Sequence, residues 1–158
     1  MNARETTMAV PLFRREEILA APGGPYRHAL AVRLQDVDAA GVVFFARFFE
    51  YAHDAFMATL AAGGLDLPRA LREGRHLAPI RHAEADYLAP LRFGDAVLAG
   101  PVLARVEPTE AVVAHRIERA GGAVVALVQT VHVSVDGRSF ERVPFPEEWL
   151  RVFRALSA

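Results

Sequence analysis

Apolar and polar positions along this chain change period several times, and each change predicts an element. From Tyr26 to Gln35 the residues alternate, with His28, Leu30, Val32 and Leu34 on one side and Arg27, Ala29, Ala31 and Arg33 on the other, so a first strand is expected. From about Phe44 to Ala62 the spacing turns helical: Phe45, Phe48, Phe49, Ala52, Phe56 and Leu60 share a broad apolar face, while Arg47, Glu50 and Asp54 mark another. Gly63-Gly64 predict a left-handed stop. A short helix is expected over Leu67 to Glu73, with Asp66 as its cap and Pro68 at its first position.

Beyond His76 the period falls to two. Ala83, Ala85 and Tyr87 alternate with His82, Glu84 and Asp86. A strand from Ala96 to Val106 carries Gly100-Pro101 as a bulge or edge. Ala111–Arg119 and Ala123–Val135 read as a hairpin through Gly121-Gly122, and Asp136-Gly137 closes the last strand. Trp149, Val152, Phe153 and Leu156 predict a C-terminal helix over Pro146–Leu156. One strand, one long helix, then strands without helices between them is the α+β order, an antiparallel sheet wrapping a helix. Residues 1–25 read as a lead-in strap broken by Pro22-Gly23-Gly24-Pro25, and residues 26–158 as the folded domain.

Composition narrows the function. The chain has 158 residues, 53% of them hydrophobic, and a net charge of −1. That is one domain with a real core and no electrostatic invitation to nucleic acid. Near-zero charge on so apolar a chain favours association. Without cysteine, disulfides, thiolate nucleophiles and cysteine-ligated metals are excluded. Charged residues such as Arg4, Glu5 and Arg14 interrupt the N-terminal apolar run, and no stretch is long enough to span a bilayer, so a cytoplasmic protein with no membrane partner is expected.

The chemistry gathers in Gln35-Asp36-Val37-Asp38-Ala39-Ala40-Gly41-Val42-Val43-Phe44-Phe45. An acid just ahead of a helix faces free backbone N–H groups and the positive end of the helix dipole. Asp36 or Asp38 could cap the turn, or one could be a reactive carboxylate facing anion-stabilising amides. The run Asp-x-Asp-x-x-Gly, two aliphatics and an aromatic pair resembles the active-site signature of the 4-hydroxybenzoyl-CoA thioesterase family of hotdog-fold proteins. It is most similar to the branch hydrolysing 1,4-dihydroxy-2-naphthoyl-CoA. Ala83–Asp95 is similar to that family's second strand and following turn, and the likeness extends from about Tyr26 to Val135.

The resemblance implies a hotdog fold, with an antiparallel sheet around one long central helix. It also implies an acyl-CoA substrate, subunits paired into a dimer or a dimer of dimers, and no cofactor. Asp38 matches the catalytic carboxylate, as nucleophile or as general base. The backbone N–H of Phe45 matches an oxyanion donor, Gly41 the glycine that lets backbone pass close to the substrate, and Phe44-Phe45 suit a flat aryl group. Asp36 is expected to cap the turn or to hold Asp38 by hydrogen bonds.

Other candidates carry weaker expectations. His53 packs or sits at a subunit interface. Glu50 and Asp54 are reserve acids on the helix. His82, Glu84 and Asp86 could be half of a metal site but read as the wet face of a strand, so no metal is expected. Arg81, Arg92, Arg116, Arg119 and Arg138 are candidates for coenzyme A phosphates. A non-catalytic acyl-CoA-binding module is the alternative; a hydratase would need a His–acid pair that the signature does not contain.

Overall fold

A computed structural model describes residues 9–157; residues 1–8 of the lead-in and Ala158 lie outside them. The elements in order are α1 (Arg15–Ala20), β1 (His28–Ala31), a 3₁₀ turn (Leu34–Asp36), α2 (Arg47–Ala62), α3 (Leu67–Glu73), β2 (His76–Leu77), β3 (Ile80–Tyr87), β4 (Ala96–Glu107), β5 (Glu110–Arg119), β6 (Val124–Val133), β7 (Val135–Asp136) and α4 (Glu147–Leu156). Five strands form one sheet in the order β1-β4-β5-β6-β3, and every pair is antiparallel. The register of β4 on β5 shifts between Pro101 and Leu103, where the Gly-Pro pair predicts a bulge.

The sheet wraps α2, giving the hotdog arrangement. Phe48, Tyr51, Ala52 and Ala55 on α2 pack against Val97, Ala99, Ile117, Val125 and Val128 of the sheet. Further along α2, Phe56 and Leu60 meet Trp149, Val152, Phe153 and Leu156 of α4, whose i, i+3, i+4, i+7 stripe is wholly buried. The opposite sheet face is covered by the lead-in. Ile18 and Ala21 pack on Ala114 and Leu127, and Val10 packs on Val112 and Val131. With both faces covered, β5 and β6 are buried along nearly their whole length, which is why they read as unbroken apolar runs. β3, by contrast, is an edge: it pairs only with β6, and seven of its eight residues are exposed.

Several boundaries differ from the sequence-based expectation, for local reasons. β1 stops at Ala31, not Gln35, because the Asp36 carboxylate accepts the Arg33 backbone N–H at 3.0 Å and folds the chain into the 3₁₀ turn. α2 begins at Arg47, not Phe44: Arg47 N–H bonds the Phe44 carbonyl at 2.9 Å in a preceding turn, so two of the five expected helical phenylalanines lie ahead of the helix. Of the two glycines after α2, only Gly64 is left-handed, at φ 87°; Gly63 has φ −76°. α3 starts at Leu67 with Asp66 accepting from Arg69 N–H, which puts Pro68 second in the helix. The small β2–β7 ladder was not anticipated.

Candidate active site at the head of α2

Between the 3₁₀ turn and α2 the chain makes a tight hairpin. Val37 and Val43 bridge antiparallel. Asp38 N–H donates to the Val42 carbonyl at 2.9 Å, and Gly41 N–H to the Asp38 carbonyl at 3.0 Å. The turn closes only because Gly41 sits at φ 76°, a conformation that costs a side-chain-bearing residue about 1–2 kcal/mol. Val43 N–H bonds the Leu91 carbonyl at 2.8 Å, tying the hairpin to the β3–β4 connection. Asp38 and Gly41 thus occupy one exposed tip.

The Asp38 carboxylate is oriented, not merely exposed. Oδ1 accepts the Ala40 N–H at 2.8 Å, a local turn bond that fixes the side chain. Oδ2 has no hydrogen-bond partner among the described residues. At the other leg of the hairpin, Phe44 N–H donates to the Asp36 carbonyl at 2.9 Å. The next amide, Phe45 N–H, bonds no acceptor among the described residues, as befits a donor ahead of a helix. Phe44 and Phe45 touch, with ring centroids 4.6 Å apart, and both are largely exposed. Tyr87 at the end of β3 donates its hydroxyl to the Phe45 carbonyl at 3.0 Å and packs edge-on against Phe48. Burial raises the Tyr87 pKa, so the phenol stays a donor. Phe45, Phe48 and Tyr87 line a cavity of ≈ 320 Å³ here.

Asp36 is the buried acid, with 0% exposure. It does not bond Asp38, contrary to one expectation. Its Oδ2 accepts from Arg33 N–H, Arg33 Nε–H and the Tyr51 hydroxyl at 3.0, 3.2 and 2.9 Å; its Oδ1 accepts from Arg33 Nη2 at 2.9 Å. Arg47 Nε stands 3.8 Å away. Burial pushes the Asp36 carboxyl pKa up, and the Arg33 and Tyr51 hydrogen bonds outweigh it, leaving the value lowered. The reading from sequence missed Arg33, Arg47, Tyr51 and Tyr87. The Arg33–Asp36 and Arg47–Tyr51 spacings were signals for the first three.

The other candidates separate on inspection. Glu50 is tied to Arg47 at 2.6 Å. His53 and Asp54 are exposed. His82 reaches only Glu84, at 3.5 Å, and among the described residues no three acid or histidine side chains converge as metal ligands. Arg81 is paired with buried Glu110. Arg116 binds Glu118 and the Ala21 carbonyl; Arg119 binds the Pro90 carbonyl. Arg138 lies in the Asp136 turn. Arg92 is left: its guanidinium has no hydrogen-bonded partner among the described residues, and Nη1 lies 4.0 Å from where a Cβ on Gly41 would stand.

A thioesterase-like superfamily model matches residues 32–153. A 1,4-dihydroxy-2-naphthoyl-CoA hydrolase from Rippkaea orientalis is 33% identical over 125 residues, covering 76% of this chain and 91% of the relative. Its counterpart from Synechococcus elongatus is 32% identical over 131 residues, covering 80% and 96%. The crystal structure of a 1,4-dihydroxy-2-naphthoyl-CoA thioesterase from Synechocystis superposes with TM-score 0.76 at 27% identity, over 82% of this chain and 95% of that one. Among the described residues no helix is long and apolar enough to cross a membrane.

Proposed function

We infer the reaction from one premise: this chain belongs to the thioesterase-like superfamily of hotdog-fold proteins. It is an acyl-CoA thioester hydrolase, releasing a carboxylic acid and free coenzyme A. The relatives' named substrate makes an aryl-CoA, such as 1,4-dihydroxy-2-naphthoyl-CoA or 4-hydroxybenzoyl-CoA, the acyl class we propose.

Asp38 is the catalytic carboxylate in this reading. The observation that carries it is the fixed Oδ1 of an exposed carboxylate at the hairpin tip, whose Oδ2 has no hydrogen-bond partner among the described residues. That oxygen either attacks the thioester carbon, expelling the thiolate and leaving an anhydride for water to open, or takes the proton of an attacking water. In both routes negative charge grows on the carbonyl oxygen. The Phe45 N–H at the head of α2 is the donor we assign to it, and losing such a donor costs about 10²–10³ in rate. Gly41 lets the acyl-CoA pass without a side chain in its way. Arg92 is the cation best placed for a coenzyme A phosphate. A second copy of the chain completes the enzyme: the open edge of β3, flanked by exposed Ile80 and Tyr87, is a template for strand pairing.

Thiol release from aryl and aliphatic CoA thioesters tests the assignment, with intact protein and with Asp38→Asn. The amide keeps the shape but is a poor nucleophile and base. A loss of at least about 10²-fold in kcat/KM with an unchanged fold is expected. Activity that survives would move the chemistry to Glu50 or Asp54. Binding of CoA esters without thiol release by the intact protein would favour the non-catalytic module.

A further inference from the structure

A hydrogen-bond donor serves a developing oxyanion only while it is held in place; a displacement of about 1 Å is enough to cost about 10²-fold in rate. The proposed donor, Phe45 N–H, lies ahead of α2, outside the helical ladder. What holds it can be read from the two peptide planes that flank Phe45. The plane carrying the N–H is fixed through its own carbonyl: Phe44 C=O accepts Arg47 N–H at 2.9 Å. The plane that follows is fixed at the Phe45 carbonyl, which accepts the Tyr87 hydroxyl at 3.0 Å. The other bond to that carbonyl, from Phe48 N–H, is long at 3.4 Å.

Between those planes stand only φ and ψ of Phe45. The Arg47-to-Phe44 bond closes across Phe45 and Ala46, so a swing of the Phe45 carbonyl opens that turn and carries the N–H with it. Among the described residues, the Tyr87 hydroxyl is the one side-chain group that bonds the backbone of Phe44 or Phe45. It is the side-chain clamp on the segment that aims the donor.

Tyr87 is itself firmly mounted. It ends β3 and pairs in register with Ala126 of β6. Past the strand end, Leu88 N–H and Ala89 N–H both donate to the Val125 carbonyl, at 2.8 and 3.2 Å. The Tyr87 ring packs edge-on against buried Phe48, with centroids 5.1 Å apart. The sheet thus fixes its backbone and α2 fixes its ring, and the hydroxyl passes that fixity to the leg of the hairpin. The whole arrangement lies within one chain.

Resting on the thioesterase reading above, we propose that Tyr87 is a positioning residue for the hydrolytic step: by holding the Phe45 carbonyl, its hydroxyl keeps the Phe45 N–H aimed at the oxygen on which charge develops. Tyr87 does not touch the reacting atoms in this role. Its effect belongs to the transition state, where the oxyanion exists, more than to the bound thioester.

Two measurements test this. Tyr87→Phe removes the hydroxyl and keeps the ring against Phe48. The donor is loosened and not lost, so kcat should fall about 10-fold, less than the full cost of a missing donor, with KM within about twofold of the parent. Tyr87→Leu, which also removes the ring, should fall at least as far. The second measurement is binding of two thioethers that cannot be hydrolysed. S-(3,3,3-trifluoroacetonyl)-CoA carries a ketone that is tetrahedral in water as its hydrate and imitates the oxyanion; S-(3,3,3-trifluoropropyl)-CoA has no oxygen there. Tyr87→Phe should weaken the first about 10-fold, in step with kcat, and leave the second within about twofold. An unchanged kcat in Tyr87→Phe, with loss appearing only in Tyr87→Leu, would make ring packing the role and overturn the proposal. A raised KM with kcat intact, or equal weakening of both thioethers, would overturn it as well. No thiol release from any thioester by the intact protein would instead sink the thioesterase reading, while the pair of thioethers would still judge Tyr87.

Discussion

Replacing Asp36 by Asn probes what holds the hairpin in place. The substitution is nearly isosteric, so shape is kept and only the acceptors change. In the native fold Oδ2 takes three donors and Oδ1 takes Arg33 Nη2. An amide oxygen can occupy the Oδ2 position, but the NH₂ must then face the Arg33 guanidinium, donor against donor. A charge-assisted hydrogen bond to a buried acid is worth about 1.5–3 kcal/mol. Arg33 is more than half exposed and can turn to water, which trims the electrostatic part. The expected cost is about 2 kcal/mol, or about 4–8 °C in Tm for a domain of this size. The pH dependence has a definite sign. Because the folded Asp36 pKa lies below its ordinary value near 3.8, its contribution is complete above that value and fades as pH falls through the folded one. Urea unfolding of both proteins at pH 7 and near pH 3 reads the difference. A gap under about 0.5 kcal/mol at pH 7, or one that persists undiminished in acid, would refute the anchoring role.

Two further outcomes are expected. Burial pushes His115 down to about 3 and His132 to about 4; the unfolded chain binds their protons near pH 6.5, so the fold loses stability as pH drops from 6.5 toward 4. The loss is about 1.4 kcal/mol per pH unit for each; urea midpoints at pH 7 and 5 measure it, and His115→Leu should remove its share of the slope. Arg92→Ala should raise KM for CoA thioesters about 3–10-fold with kcat unchanged, the mark of lost uniform binding, and the effect should shrink at high salt; steady-state kinetics at two ionic strengths decide it.

How much of this was readable from the chain alone follows from the range of the contacts involved. α4 was legible because its four buried residues are determined by helix periodicity alone. The β5–β6 hairpin was legible because Gly121 and Gly122 both adopt the positive φ such a turn demands. The turn at Asp38, though not its hairpin bridge, was legible because its bonds are local, running from Asp38 to Ala40, Gly41 and Val42.

The start of α2 was not, since Phe44 and Phe45 extend the aromatic spacing backward while their backbone is committed elsewhere. Phe44 N–H goes to Asp36, eight residues earlier, and the Phe45 carbonyl goes to Tyr87, on another element. For Asp36 the expected turn cap is present at Arg33 N–H, whereas the alternative bond to Asp38 is absent and the Tyr51 bond was not anticipated. Its neighbour Asp38 invites a local explanation, yet one of its stabilising partners, Tyr51, is fifteen residues on and visible only once α2 has docked. The two acids of one short motif therefore differ in how fully their oxygens are engaged. Asp38, held by one bond to Ala40 N–H, keeps an oxygen without a partner among the described residues, while both oxygens of buried Asp36 are taken by Arg33 and Tyr51. That difference, more than proximity to the helix, is the physical ground on which we propose opposite roles for them.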